Sequence, residues 1–200
     1  MKLYISPGAC SLSPHIVLRE AGFHFTTEKV DLKTGTYAGG DYKKINPKGY
    51  VPALELDNGE ILTEGSAIVQ YLGDKKPDSG LLPAVGTMER ARCVEWLTFI
   101  AAELHKGFGP LWNPASTDAE KSRAIDTLGK RIGFVDDALK GKDYLLGSKF
   151  SVADAYLFTV LSWASHVKMD TKRWSYVHAF LERVAKRPKV QEAMKAEGLI

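Results

Sequence analysis

A cysteine, Cys10, lies in the segment SPGACSLSPH, directly after the short apolar run MKLYI. Ser6-Pro7-Gly8 ends that strand, and Ile16, Val17, Leu18 and Ala21 then recur as they would on a helix. A thiol between strand end and helix start sits beside backbone N–H groups that lack intrahelical partners, an environment that favours thiolate. It also suits the thiolate of a second molecule, so the chemistry expected here is that of sulfur. A second signal is Thr63-Glu64-Gly65-Ser66, where a hairpin hands over to a helix. The N–H groups there can either be capped by Thr63 or Glu64 or receive a carboxylate on Gly65 and Ser66 while Glu64 takes an ammonium group. A ligand bearing both charges is an amino acid or a peptide end. A third is His105 in Glu103-Leu104-His105-Lys106-Gly107, either a cation at a helix end or a donor to sulfur or carboxylate.

The elements that must position these groups fall into two patterns. Strands are expected at residues 2–5, 23–30, 51–56 and 60–62, with Asp57-Asn58-Gly59 as the hairpin turn. Helices are expected at 11–22, ending at Gly22, and at 65–75, with a short helix near Tyr42 inside the glycine-bearing loop 31–46. This order suits a four-stranded mixed sheet with helices on its faces. Pro52 opens its strand, as a turn proline or as a cis proline that turns the backbone of Val51 toward a bound peptide. A linker with two prolines and two glycines follows, and from Met88 the pattern is helical throughout. Helices are expected from Met88 to about Phe108, where Gly109-Pro110 breaks the run, then at 119–139, 152–166, 176–187 and 190–196. VADAYLFTVLSWASH is apolar almost all round, as a central buried helix is, and Ser151 with Asp154 forms a capping box at its start.

Composition narrows the classes. The 200 residues are 44% hydrophobic and 26% charged, with a formal charge of +3, as in an ordinary globular protein of one large or two small domains. The lysines are scattered, so no nucleic-acid stripe is expected, and no apolar run approaches the length of a membrane span. No secretory leader is expected at the N-terminus, and two distant cysteines, Cys10 and Cys93, suit a reducing cytoplasm rather than a disulfide framework. The five histidines show no zinc spacing, so no metal is expected.

The motifs PGACSLSPHIVLRE, NPKGYVPAL, LTEGSAIVQYL, ELHKGF and FSVADAYLF, in this order along the whole chain, resemble those of the bacterial beta-class glutathione transferases, the cysteine type. The resemblance implies an α/β thioredoxin-like N-terminal domain (residues 1–76), a linker (77–87) and an all-α C-terminal domain (88–200) that contributes the electrophile pocket. It implies a cytoplasmic homodimer that binds glutathione as co-substrate, with Cys10 and His105 as catalytic residues. Ala9, Val51, cis Pro52, Glu64, Gly65 and Ser66 would join Cys10 in holding glutathione, with Glu103, His105 and Lys106 from the second domain. The activity implied is attack of the glutathione thiolate on a small apolar electrophile, with glutathione-dependent thiol–disulfide or peroxide reduction through Cys10 beside it. The alternative is a glutathione- or hydrophobic-ligand-binding protein without turnover. Tyr4 and Ser11 remain rivals to Cys10, because other classes activate glutathione with a hydroxyl near these places. Two positions depart from the pattern: Gly65 stands where many relatives carry serine, and Thr98 where some carry asparagine. Phe108, Pro110, Leu111, Trp112 and Trp163 are candidates for the electrophile pocket or for ordinary core. Cys93 reads as a buried structural thiol.

Overall fold

The structure, a computed structural model, describes residues 1–200 and divides into two compact units, Met1–Leu82 with Lys186–Ile200, and Pro83–Ala185. In the first, β1 (Lys2–Ile5) is followed by α1 (Leu12–Glu20), β2 (Thr26–Asp31), β3 (Thr36–Tyr37), β4 (Gly40–Asp41), β5 (Ala53–Glu55), β6 (Ile61–Thr63) and α2 (Gly65–Lys75). The sheet order is β4-β3-β2-β1-β5-β6. β1 runs parallel to β2 and antiparallel to β5, with Tyr4 opposite both Glu28 and Ala53. The expected 57–59 hairpin sets Leu54 against Leu62. The four strands expected are present, and two more fall in the segment read as loop, because two-residue strands leave no period-2 pattern to detect. The short helix at Tyr42 is there, a 3₁₀ turn over Tyr42–Lys44.

The last helix, α8 (Pro188–Glu197), packs on α1 within this first unit. The compact units thus differ from the expected 88–200 span at its C-terminal end, where residues 186–200 cluster with the first unit. The pairing is chemical as well as apolar. Arg187 donates to both carboxylate oxygens of Glu20, at 2.7 and 2.8 Å. Glu197, fully buried at its side chain, accepts from the Gly8 N–H at 2.9 Å and lies 2.8 Å from His15 Nδ1. Such pairs join residues more than 160 positions apart and leave no local trace in the sequence.

The second unit is helical: α3 (Met88–Phe99), a π-helical turn (Ile100–His105), a 3₁₀ turn (Lys106–Phe108), α4 (Gly109–Trp112), α5 (Asp118–Leu139), α6 (Val152–Ser162) and α7 (Ser175–Ala185). Gly109-Pro110 does not end the helical path as expected. Pro110 lies in the first turn of α4, where its missing N–H costs nothing. α6 is central, with Val152 through Leu161 all buried. Its Asp154 accepts from the Ser151 N–H at 2.8 Å, the Ser151 hydroxyl at 2.6 Å and the Leu145 N–H at 2.8 Å. Cys93 is buried, which pushes its thiol up to about 11, as expected of a structural cysteine. No helix is long and apolar enough to cross a membrane.

Candidate active site

The Cys10 loop rests on a small apolar cluster of Tyr4, Val30, Tyr42, Val51 and Ala53, against which Ala9 packs. Gly8 takes φ +72°, a conformation open to glycine at low cost, and a Cβ there would come within 3.3 Å of Leu199. Ala9 N–H donates to Ser6 C=O at 2.9 Å, closing the turn. Cys10 lies in that turn, two residues ahead of α1, and its Sγ–H donates to the Val51 carbonyl at 3.1 Å. The thiol thus reaches a carbonyl, a contact the protonated form makes.

The segment that carries this carbonyl is held from below. Asn46, fully buried, donates through Nδ2 to Tyr50 C=O at 2.6 Å, and the Tyr42 hydroxyl reaches the same oxygen at 3.3 Å. The Val51–Pro52 peptide bond is cis. The β5 ladder begins at Ala53, so the backbone of Val51 stands just outside the sheet pairing.

Glu64 precedes α2 with φ 70° and ψ 113°, a backbone conformation that a side-chain-bearing residue seldom takes and that clusters at ligand sites. Its carboxylate accepts from Lys48 Nζ and from the Tyr50 hydroxyl at 3.2 Å, and Lys48 also donates to Thr63 Oγ1 at 3.0 Å. The bond to Glu64 raises the Lys48 ammonium's pKa, and burial followed by the Glu64 charge raises that of Tyr50. Lys48 and Tyr50 were not singled out from the sequence, although both lie in NPKGYVPAL. Gly65 and Ser66 form the first turn of α2, with N–H groups at its positive end. A Cβ on Gly65 would stand 3.8 Å from Pro52 and 3.9 Å from Ser13, ordinary contacts, so glycine here is not enforced by crowding.

The two hydroxyl rivals are removed by their surroundings. Tyr4 is buried and donates to Glu55 at 2.8 Å; burial first, then Glu55, raises its pKa well above the usual phenol range. Ser11 is fully buried, accepting from the Ser6 N–H at 3.1 Å and donating to the Ser6 carbonyl at 3.2 Å. It is a clasp of the Cys10 loop.

Within the second unit, His105 ends the π-helical turn, with Nδ1 2.7 Å from the Tyr156 hydroxyl. Trp163 meets its ring edge-on at 4.9 Å, and Phe108 meets Trp163 at 5.6 Å. Glu103 accepts from Arg131 at 2.8 Å, and Lys106 is exposed. Phe108 is fully buried and serves the core, Trp163 is nearly so, and Trp112 is 47% exposed. Thr98 donates to the Val94 carbonyl of its own helix at 2.9 Å, so its hydroxyl is engaged locally. No three His, Cys, Asp or Glu side chains gather as a metal site would need.

Comparison with known proteins shows the family. Residues 8–75 match the glutathione S-transferase N-terminal domain family and residues 99–188 the glutathione S-transferase C-terminal domain family. The chain is 50% identical to glutathione S-transferase GstA of Escherichia coli O157:H7, over 100% of both chains. It superposes on the bacterial beta-class glutathione S-transferase of Sphingomonas chungbukensis with TM-score 0.96, 49% identity and 100% coverage of both chains. A sphingomonad glutathione S-transferase solved with glutathione gives TM-score 0.96 at 46% identity, again over 100% of both chains.

Proposed function

The chain belongs to the bacterial beta-class glutathione transferases, and on that premise we propose how its own residues carry out the reaction. The activity is use of the glutathione thiol as a nucleophile toward small electrophiles. The observation that carries the reading is the pairing of Cys10 with the Val51 carbonyl, beside the first turn of α2 that Glu64 introduces. Glutathione is an extended peptide with a thiol at its middle and an ammonium and carboxylate at its γ-glutamyl end. Its carboxylate is assigned to the N–H groups of Gly65 and Ser66, at the positive end of an 11-residue helix. Its ammonium is assigned to the Glu64 carboxylate, which Lys48 and Tyr50 hold in place. The backbone of Val51, outside the β5 ladder, pairs with the peptide's middle and brings the sulfur to Cys10 and Ala9. In the second unit, His105 is the proposed catalytic residue, with Glu103 and Lys106 as its polar neighbours in sequence.

Conjugation then needs stabilisation of the sulfur anion and its orientation toward an electrophilic carbon. The thiolate forms a C–S bond and the leaving group departs with its electron pair, or a proton adds to an activated double bond. The aromatic side chains near His105 favour a small apolar electrophile. Cys10 adds a redox route. Its thiolate attacks a disulfide sulfur, forms a mixed disulfide with glutathione and releases the other thiolate; a second glutathione thiolate then frees Cys10 and leaves as glutathione disulfide. The reading includes a homodimer in the cytoplasm, to which two free cysteines are suited. Intact-protein mass after treatment with glutathione disulfide tests the assignment. One glutathionyl group on the Cys10 peptide and none on Cys93 is expected; modification of neither refutes the redox role.

A further inference from the structure

His105 ends a π-helical turn, which carries more residues per hydrogen-bonded ring than an α-helix and turns the closing side chain off the α-helical stripe. α6 packs against that turn and supplies Tyr156, buried, with its hydroxyl 2.7 Å from His105 Nδ1 and its ring edge-on at 6.0 Å. Trp163 meets the same imidazole edge-on, at 4.9 Å. The ring is therefore fixed in direction, and the remaining question is which nitrogen carries its proton.

Donor and acceptor strengths settle this. A phenol, with an ordinary pKa of about 10, is a better hydrogen-bond donor than a neutral imidazole N–H, and the unprotonated imidazole nitrogen is a better acceptor than a phenol oxygen. The geometry points to Tyr156 as a positioning residue that donates its O–H to Nδ1 and holds neutral His105 as the Nε2–H tautomer. The proton-bearing nitrogen is then Nε2, which makes that atom the donor in His105's proposed catalytic role. The functional half of this inference rests on the reading of His105 as a catalytic residue; the tautomer does not.

Long-range ¹H–¹⁵N imidazole spectra of the full-length enzyme test the tautomer, with His105→Gln assigning the signal. The expected result is the Nε2–H pattern in wild type and a mixture of tautomers in Tyr156→Phe. An Nδ1–H pattern in wild type, or an unchanged pattern in Tyr156→Phe, overturns the proposal, and the wild-type spectrum alone decides if the variant does not fold. In turnover, Tyr156→Phe is expected to lower kcat/KM for glutathione about fivefold, the effect of one neutral hydrogen bond. Added to His105→Gln it should cost nothing more, because it acts through that ring. An equal loss on the His105→Gln background overturns the positioning role. Unchanged turnover in His105→Gln overturns the catalytic reading of His105 and, with it, the functional half of this inference, while the spectra still judge the tautomer.

Discussion

Asp154→Ala should destabilise the helical unit, and by an amount that depends on pH in a direction the structure specifies. The Asp154 carboxylate is fully buried and accepts three hydrogen bonds, two of them from the backbone N–H groups of Leu145 and Ser151. Alanine leaves both N–H groups without an acceptor; at about 1–3 kcal/mol each, the cost at neutral pH is on the order of 2 kcal/mol or more. Burial pushes the Asp154 carboxyl up from 3.8 to about 6, against the opposing pull of its hydrogen bonds. The folded state therefore binds a proton that the unfolded state does not between these values. The stabilisation from that proton is fully present below about pH 4 and lost as pH rises through about 6. A rise of about two units corresponds to roughly 3 kcal/mol. The gap between wild type and Asp154→Ala should therefore widen by up to about 3 kcal/mol as pH falls from about 7 to about 4. Urea unfolding at several pH values and one protein concentration, followed by circular dichroism and tryptophan fluorescence, measures it. A gap under about 0.5 kcal/mol throughout, or one that widens as pH rises, refutes the reasoning.

Two further outcomes follow from the Cys10 side. Tyr4→Phe should leave conjugation rates within about twofold, because the phenol is committed to Glu55 and held neutral; a large loss in kcat would return Tyr4 to the mechanism. Glu197→Ala removes the acceptor shared by Gly8 and His15 inside a fully buried pair, and should cost about 3 kcal/mol or more in unfolding experiments while raising KM for glutathione through the loosened Cys10 turn. An unchanged KM in a folded Glu197→Ala protein would sever α8 from the site.

What the sequence disclosed was what short-range chemistry writes into it. The 57–59 turn, the Ser151–Asp154 cap and the all-round apolar α6 each announce themselves within a few residues, and they fix the two kinds of unit. The motif around Cys10 located the loop but not the direction of its thiol, since the Val51 carbonyl lies 41 positions away. Ser11 stood as a rival to Cys10 because other classes activate glutathione with a hydroxyl near that place, and only its burial and its bonds to Ser6 show it as a clasp. Lys48 and Tyr50 were hidden in a turn whose glycine and proline drew attention, although both converge on Glu64. The placement of α8 on α1 depends on Glu20–Arg187 and His15–Glu197, contacts that no periodicity encodes. The π-helical turn that ends at His105 packs against α5 and α6, in a segment whose residues are ordinary helix formers.

The central claim is that Cys10 lies at the sulfur site of bound glutathione. It is tested most directly by steady-state turnover of wild type and Cys10→Ala with glutathione and a small mixed disulfide, with a chlorodinitroarene as the parallel electrophile. The account predicts that wild type turns over both, and that Cys10→Ala loses disulfide reduction entirely, whatever share of arene conjugation it keeps. Full disulfide reduction by Cys10→Ala would contradict it.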